Sequence, residues 1–455
     1  MILGRRGVPA LGLLALAACG VGLVAAPLTA AAKTKAVLTG VSTPLVRSGV
    51  PVTLVVDGRG LAQAGAADRI VVDGATITSR TVLGDTAVSL TLDALAPGVH
   101  AVSLPNEAGT KASIALVGAA DGSEAKYKFV PKSGGKRTSL FDPVRQAVFT
   151  AGYEHDYLTR YMRVDGAWKT KAVPVAAIDN VAMSFDHRTL YVTSGPNGVL
   201  EIDPDTLKVR RRLTTPFGVQ VSISRTTSLG ATSDGRVWLN QGGGYYDTLS
   251  GQFGDFAIWG QQQSIAAPLD GSRLFLGQLN GADVYTTATQ TVAPDPLMPQ
   301  VYAALTLSSD ARKRVVDWSS VYDRNWAFLG YANEQGASGD IPGYAGVPSA
   351  DGSRVYALVS DNSNNLPTYH IGVFDPSHLA KGTNDLFEVG QIAVPDQARC
   401  DDAFWNTGGS WCDIVGTLMI DPLGDALYWS GDRGLVVIPI PATLRPTGEQ
   451  TSPQD

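Results

Sequence analysis

Cysteine is almost missing from this 455-residue chain, which has only Cys19, Cys400 and Cys412. Charge is sparse as well, at 17% Asp, Glu, Lys and Arg, and there are five histidines. No segment beyond residue 32 reaches about 18 consecutive apolar residues, which excludes a mature transmembrane helix. No GxSxG elbow, HExxH helix or CxxC pair occurs, and Gly134-Gly135-Lys136-Arg137-Thr138 lacks the upstream glycine of a phosphate loop. Asp203-Pro204-Asp205 lacks the remaining ligands and the glycine of a calcium loop. Neither a catalytic motif nor a cofactor or metal site is therefore expected.

What is abundant points to strands. Fifty glycines and 26 prolines among so few charges suit many short strands joined by tight turns, so the expected class is all-β. The formal net charge of −6 becomes −8 if a leader carrying Arg5 and Arg6 is removed, and such a surface repels polyphosphate. Lys208, Arg210, Arg211 and Arg212 form the one dense basic run. On a strand they alternate between faces and read as a solvated edge, not as a nucleic-acid patch.

Residues 1–32 read as an export signal, with Arg5 and Arg6 ahead of an apolar stretch from Pro9 to Ala18. Leu16-Ala17-Ala18-Cys19-Gly20 resembles a bacterial lipobox, which implies lipidation at Cys19 and contact with a membrane through that anchor alone. Ala30-Ala31-Ala32 suits ordinary signal peptidase instead, and the two routes stay open. Either way the protein is expected in the periplasm, at the cell surface or secreted. Cys400 and Cys412 are then an even pair in an oxidising compartment, expected to be bonded to each other.

From residue 33 to 118, short Val-, Ile-, Leu- and Thr-rich runs alternate with turn signals at Asp57-Gly58, Asp73-Gly74 and Pro97-Gly98, the pattern of a small two-sheet β-sandwich. Leu38-Thr39-Gly40-Val41-Ser42-Thr43-Pro44, followed by Gly49-Val50-Pro51-Val52-Thr53-Leu54, resembles the opening of an IPT/TIG domain. This family is immunoglobulin-like, and the resemblance implies a spacer or adhesion module. Residues 119–136 read as a linker in which Tyr127 to Val130 supplies a closing strand.

Residues 137–446 repeat. An apolar strand follows a turn after Asp142, Asp186, Arg225, Asp270, Asp310, Asp351 and Asp421, with anchors 44, 39, 45, 40, 41 and 70 residues apart. Periods of this size, each worth four strands, suit propeller blades that hide one another's faces. Seven anchors predict seven blades with an insertion near 360–417. Six or eight blades are the competing counts, and 447–455 reads as a disordered tail. Leu190-Tyr191-Val192-Thr193-Ser194-Gly195, then Gly198-Val199-Leu200-Glu201-Ile202-Asp203-Pro204-Asp205-Thr206-Leu207, resembles a YVTN-type β-propeller repeat. That resemblance implies architecture more than activity.

The richest polar and aromatic constellation runs from Cys400 to Asp413. Within it Asp401, Asp402, Trp405, Asn406, Trp411 and Asp413 offer stacking faces beside hydrogen-bonding groups, as a sugar or peptide needs. The competing account is that the tryptophans fill a seam between blades and the aspartates cap turns. A second cluster, Asp317-Trp318 with Tyr322-Asp323-Arg324-Asn325-Trp326, reads as seam filling around a turn. The sequence thus favours a non-catalytic cell-envelope or secreted binding protein that meets a glycan or a protein, with no nucleic acid among its partners. A propeller lyase, hydrolase or quinoprotein-type oxidoreductase subunit, or a structural surface-layer module, would be the alternatives.

Overall fold

A computed structural model describes residues 36–41, 44–104, 114–119, 127–131, 138–151, 156–195, 198–214, 216, 229–239, 244–256, 262–278, 281–301, 305–317, 319–332, 344–361, 368–394, 417–421, 423–431 and 434–447. Among these residues it is all-β, with nine four-stranded sheets.

The first two sheets share one core. One has the order Val37–Val41, Val52–Arg59, Ala87–Leu92 and Ile77–Val82, all antiparallel. The other has the order Leu45–Arg47, Ile114–Ala119, Gly98–Ser103 and Val71–Val72, and its first pair is parallel. Strand periodicity decides which side chains go inside. Along Ala87–Leu92 every second residue is buried, so Val88, Leu90 and Leu92 point inward to meet Val46, Val72, Val102 and Leu104 of the facing sheet.

One expected turn is not a turn. Asp57-Gly58 lies inside the strand Val52–Arg59, where Gly58 pairs with Leu38. A methyl at Gly58 would collide with the Val37 carbonyl oxygen, so the glycine serves a close approach of two backbones. Asp73-Gly74 does turn, with Gly74 at φ +67°.

The seven remaining sheets follow one another, each an antiparallel meander, and their first strands touch in a closed cycle. The arrangement is propeller-like. The second strand of a sheet is packed on both faces, so it reads as a continuous apolar run, as in Ala147–Ala151 and Leu190–Ser194. Fourth strands are the wet ones: Val209–Thr214 is exposed at all but Leu213. The seventh sheet takes its fourth strand from early in the chain, with Phe129 opposite Val436 and Val130 opposite Leu435.

The repeated aspartate makes the turn between first and second strands. Its carboxylate accepts the backbone N–H two residues on, at 3.0 Å from Val144 to Asp142, 3.0 Å from Arg188 to Asp186, 2.9 Å from Ser272 to Asp270 and 3.0 Å from Leu423 to Asp421. The third repeat departs from its expected register. Arg225 is outside the described residues, and Leu229–Ala231 is the first strand of its sheet, not the second. The equivalent turn is Thr232-Ser233-Asp234-Gly235, ahead of the strand Arg236–Leu239. A short apolar first strand imitated the stronger second one.

The paired sheets rest on these turns. Leu45, 5% exposed, packs with Val99 of its own pair against Val144, Leu269 and Leu423, which come from the first, fourth and seventh ring sheets. Arg47 donates to Asp425 at 2.7 Å, and Arg445 holds the other carboxylate oxygen at 2.9 Å.

Candidate functional site

The site residues expected at Asp401, Asp402, Trp405, Asn406, Trp411 and Asp413 lie outside the described residues. So do Cys400, Cys412 and Cys19. The strand Leu386–Ala393 precedes that stretch and Thr417–Ile420 follows it, so it connects the sixth ring sheet to the seventh.

Most of the described titratable side chains serve the seams. Asp142, fully buried, accepts from His187 Nδ1 at 2.8 Å and from Arg145 at 2.9 Å, tying the first sheet's turn to the second's. Burial opposes its ionisation, but these two partners outweigh it and hold the carboxyl below its usual range. His100 sits between the carbonyls of Asp73 and Ala96, and His378 lies in a turn with Asp375 and Ser377. His378 Nδ1 lies 2.9 Å from the Ser377 hydroxyl and 3.0 Å from Asp375, but both contacts fall on the one ring nitrogen and Ser377 donates to Asp375, so this is a local turn network and not the base-between-nucleophile-and-carboxylate relay of acyl transfer. The basic run is also occupied: Arg210 pairs with Asp203, and Arg211 with Glu201 and the Tyr246 hydroxyl.

Arginine-on-aromatic lattices lace the later seams. Arg314, 2% exposed, lies 4.0 Å from the Trp326 ring centroid and 4.6 Å from that of Phe275, while Trp326 donates to Asp295 at 2.6 Å. Trp326 therefore fills a seam, and Asp323 caps the turn before it through the N–H groups of Asn325 and Ala327. Burial lowers the Arg314 pKa to about 10. Its charge is met by ring faces, which cost less desolvation than a lone buried ion would.

A cleft of about 720 Å³ opens between the second and third ring sheets, on the side of the aspartate turns. Ser184, Phe185 and Asp186 form one wall, with Tyr191 behind them. The turns Thr232–Arg236 and Asp247–Ser250 form the other, and Gln290 of the fourth sheet also lines it. The second wall is rigid because its polar groups are chained. Trp238 Nε1 donates to Thr232 Oγ1 at 3.2 Å, Thr232 donates to Asp234 at 2.6 Å, and Tyr285 and Arg236 complete the chain on the other carboxylate oxygen. The Asp234 side chain is 4% exposed. Burial and that carboxylate push the Tyr285 phenol far above the usual tyrosine range. The Arg236 guanidinium is gripped by Tyr245, Phe256 and Tyr285 at 4.6, 5.3 and 5.3 Å.

Two carboxylates remain for a ligand. Asp186 spends Oδ1 on Ser184 and on the Arg188 N–H, and Asp247 spends Oδ1 on Leu249 and Ser250 N–H groups. Among the described residues the Oδ2 of neither accepts a hydrogen bond. Arg236 is already neutralised by Asp234, so the cleft offers acceptors, hydroxyls and one phenyl ring. That composition favours a neutral or cationic ligand rich in O–H or N–H donors. Sequence reasoning missed this cleft because its residues are ordinary turn formers drawn from three repeats. The available signal was Phe185, an apolar residue in an otherwise polar turn.

No protein-family model and no curated protein sequence matches the chain. Among solved structures it is similar to the β-propeller domain of Myceliophteria thermophila Cps50 (Swd1), at 11% identity and a TM-score of 0.48, covering 69% of this chain and 99% of that one. It is also similar to U3-55K, at 10% identity and a TM-score of 0.46, with 70% of this chain and 100% of the other covered. At that level of similarity the ring stands on its own strand pairing.

Proposed function

We propose that the chain is an exported, non-catalytic binding protein of the cell envelope, in which an immunoglobulin-like N-terminal domain of IPT/TIG type precedes a seven-bladed β-propeller. Its ligand is a glycan, taken in the cleft between the second and third blades and by the 400–413 stretch. The carrying observation is the cleft itself: a wall that bears Asp247 and is made rigid by the Trp238–Thr232–Asp234–Tyr285 chain, facing Phe185 and the carboxylate of Asp186. A preformed wall spends little ordering entropy on binding. Pyranose hydroxyls would donate to the carboxylates while a sugar face lies on the phenyl ring. The export reading rests on Arg5, Arg6 and the apolar stretch after them, with release after Ala32 or lipidation at Cys19.

Glycan and peptidoglycan arrays with the mature protein test this, repeated with Asp247→Ala, Phe185→Ala, Trp405→Ala and Trp411→Ala. Loss of binding in the cleft variants supports the cleft, and loss in the tryptophan variants supports the 400–413 stretch. Binding unchanged in all four removes both sites. Capture of a protein but no glycan would replace the ligand class, and turnover of a bound sugar would overturn the non-catalytic reading.

A further inference from the structure

The paired N-terminal sheets touch the ring at two places, which lie across it from each other. The first is at the junction of the seventh and first sheets, where Leu45 meets Leu423 and Val144 and Arg47 meets Asp425. The second is at the fourth and fifth sheets. A Cβ on Gly40 would stand 3.6 Å from Asp270 Oδ2, in ordinary contact, and Asp57 sits in the field of Arg312, Arg324, Asp310 and Arg273. First strands of sheets seven and one touch, as do those of four and five. In a cycle of seven these pairs face each other over the axis.

Asp270 and Asp421 are buried, whereas Asp186, in the cleft on the second sheet, is exposed. Leu45 is the central contact, since Val144, Leu269 and Leu423 reach it from three sheets around the mouth. An apolar side chain held there by three converging turns excludes water from that opening.

We propose that the paired sheets act as a fixed stopper: they straddle the turn-lined mouth, Leu45 plugs it, and any ligand of the axis enters from the opposite mouth. The cleft remains accessible because sheets two and three lie to one side of the straddling bar. The N-terminal unit is then a part of the ring's closure and not a hinged spacer. Releasing it would bare Val144, Leu269 and Leu423 together.

Small-angle scattering of the mature protein and of Leu45→Asp, with limited proteolysis of residues 120–126 and thermal melts, tests the stopper. The wild type is expected to scatter as one compact particle and to melt in one transition. Leu45→Asp buries a carboxylate without a partner and should free the unit: a larger radius of gyration, two transitions, and cleavage faster by about tenfold as the open population grows. Arg47→Glu should act in the same direction more weakly, because that arginine is partly exposed. Wild-type scattering that requires a detached, freely moving N-terminal unit would overturn the proposal. So would a folded Leu45→Asp with unchanged scattering, melting and cleavage. If Leu45→Asp loses its β-sheet circular dichroism, the wild-type scattering alone decides. Glycan binding plays no part in these readouts.

Discussion

Single atoms settle the sharpest expectations. Tyr285→Phe deletes the hydroxyl that donates to Asp234 and accepts from Arg236. Two buried polar groups are then short of a partner, at a cost of about 1–3 kcal/mol by urea denaturation. A cost near zero would mean that water replaces the phenol and that the cleft wall is softer than described. Gly58→Ala drives a methyl into the Val37 carbonyl and should cost about 1–3 kcal/mol, because two paired backbones must separate. Insensitivity there would contradict the pairing of Gly58 with Leu38.

Element by element, the sequence was legible where one strand carried the whole signal. Leu190–Ser194 is buried at every residue, and its apolar run after Asp186 was readable without coordinates. So was the all-β class. Two features misled. Asp57-Gly58 has turn chemistry but is used for close packing, a choice made by a neighbouring strand that sequence reading cannot see. In the third repeat the apolar Leu229–Ala231 outweighed the less obvious Arg236–Leu239, whose first residue is a seam arginine. The cleft was illegible for a related reason, since its serines, threonines and aspartates are what every turn contains, and only the ring brings three of those turns together. The strand Lys128–Pro131 supplies the element-scale test. Val130 is buried with Val148, Tyr161 and Tyr428 of the two adjoining sheets. Val130→Asp should lower stability by about 2–4 kcal/mol, read as a fall in the single melting transition. An unchanged melt would show that the seventh sheet holds without its early strand.

For the whole molecule the clearest handle is alkaline pH. Burial raises the phenol pKa values of Tyr161, Tyr191, Tyr285 and Tyr356 above the ordinary value of 10.0. A group whose folded pKa is raised contributes stability in full below its unfolded pKa and loses it as pH climbs toward the folded one. The melting temperature should therefore fall steadily above about pH 10. Arg314 works the other way, because its pKa is lowered to about 10 and its charge burdens the fold less once the proton leaves. Arg160, whose pKa burial also lowers, acts in the same direction as Arg314, but Tyr127 and Tyr322 are raised as well, and two arginines against six phenols leave a net loss. Phenolate absorbance should rise together with the loss of β-sheet circular dichroism, and ionisation of most tyrosines in a still-folded protein would contradict their burial.

The strand that completes the seventh sheet is made early, and its partner Gly434–Pro439 is the last described strand to be made. Until then Lys128–Pro131 has an unpaired edge, a template for the wrong neighbour. A nascent chain cannot finish this molecule by halves, so final assembly must wait for synthesis to reach the far end. Any chaperone that met the unfinished chain would have one waiting edge to cover, and not a loose coil.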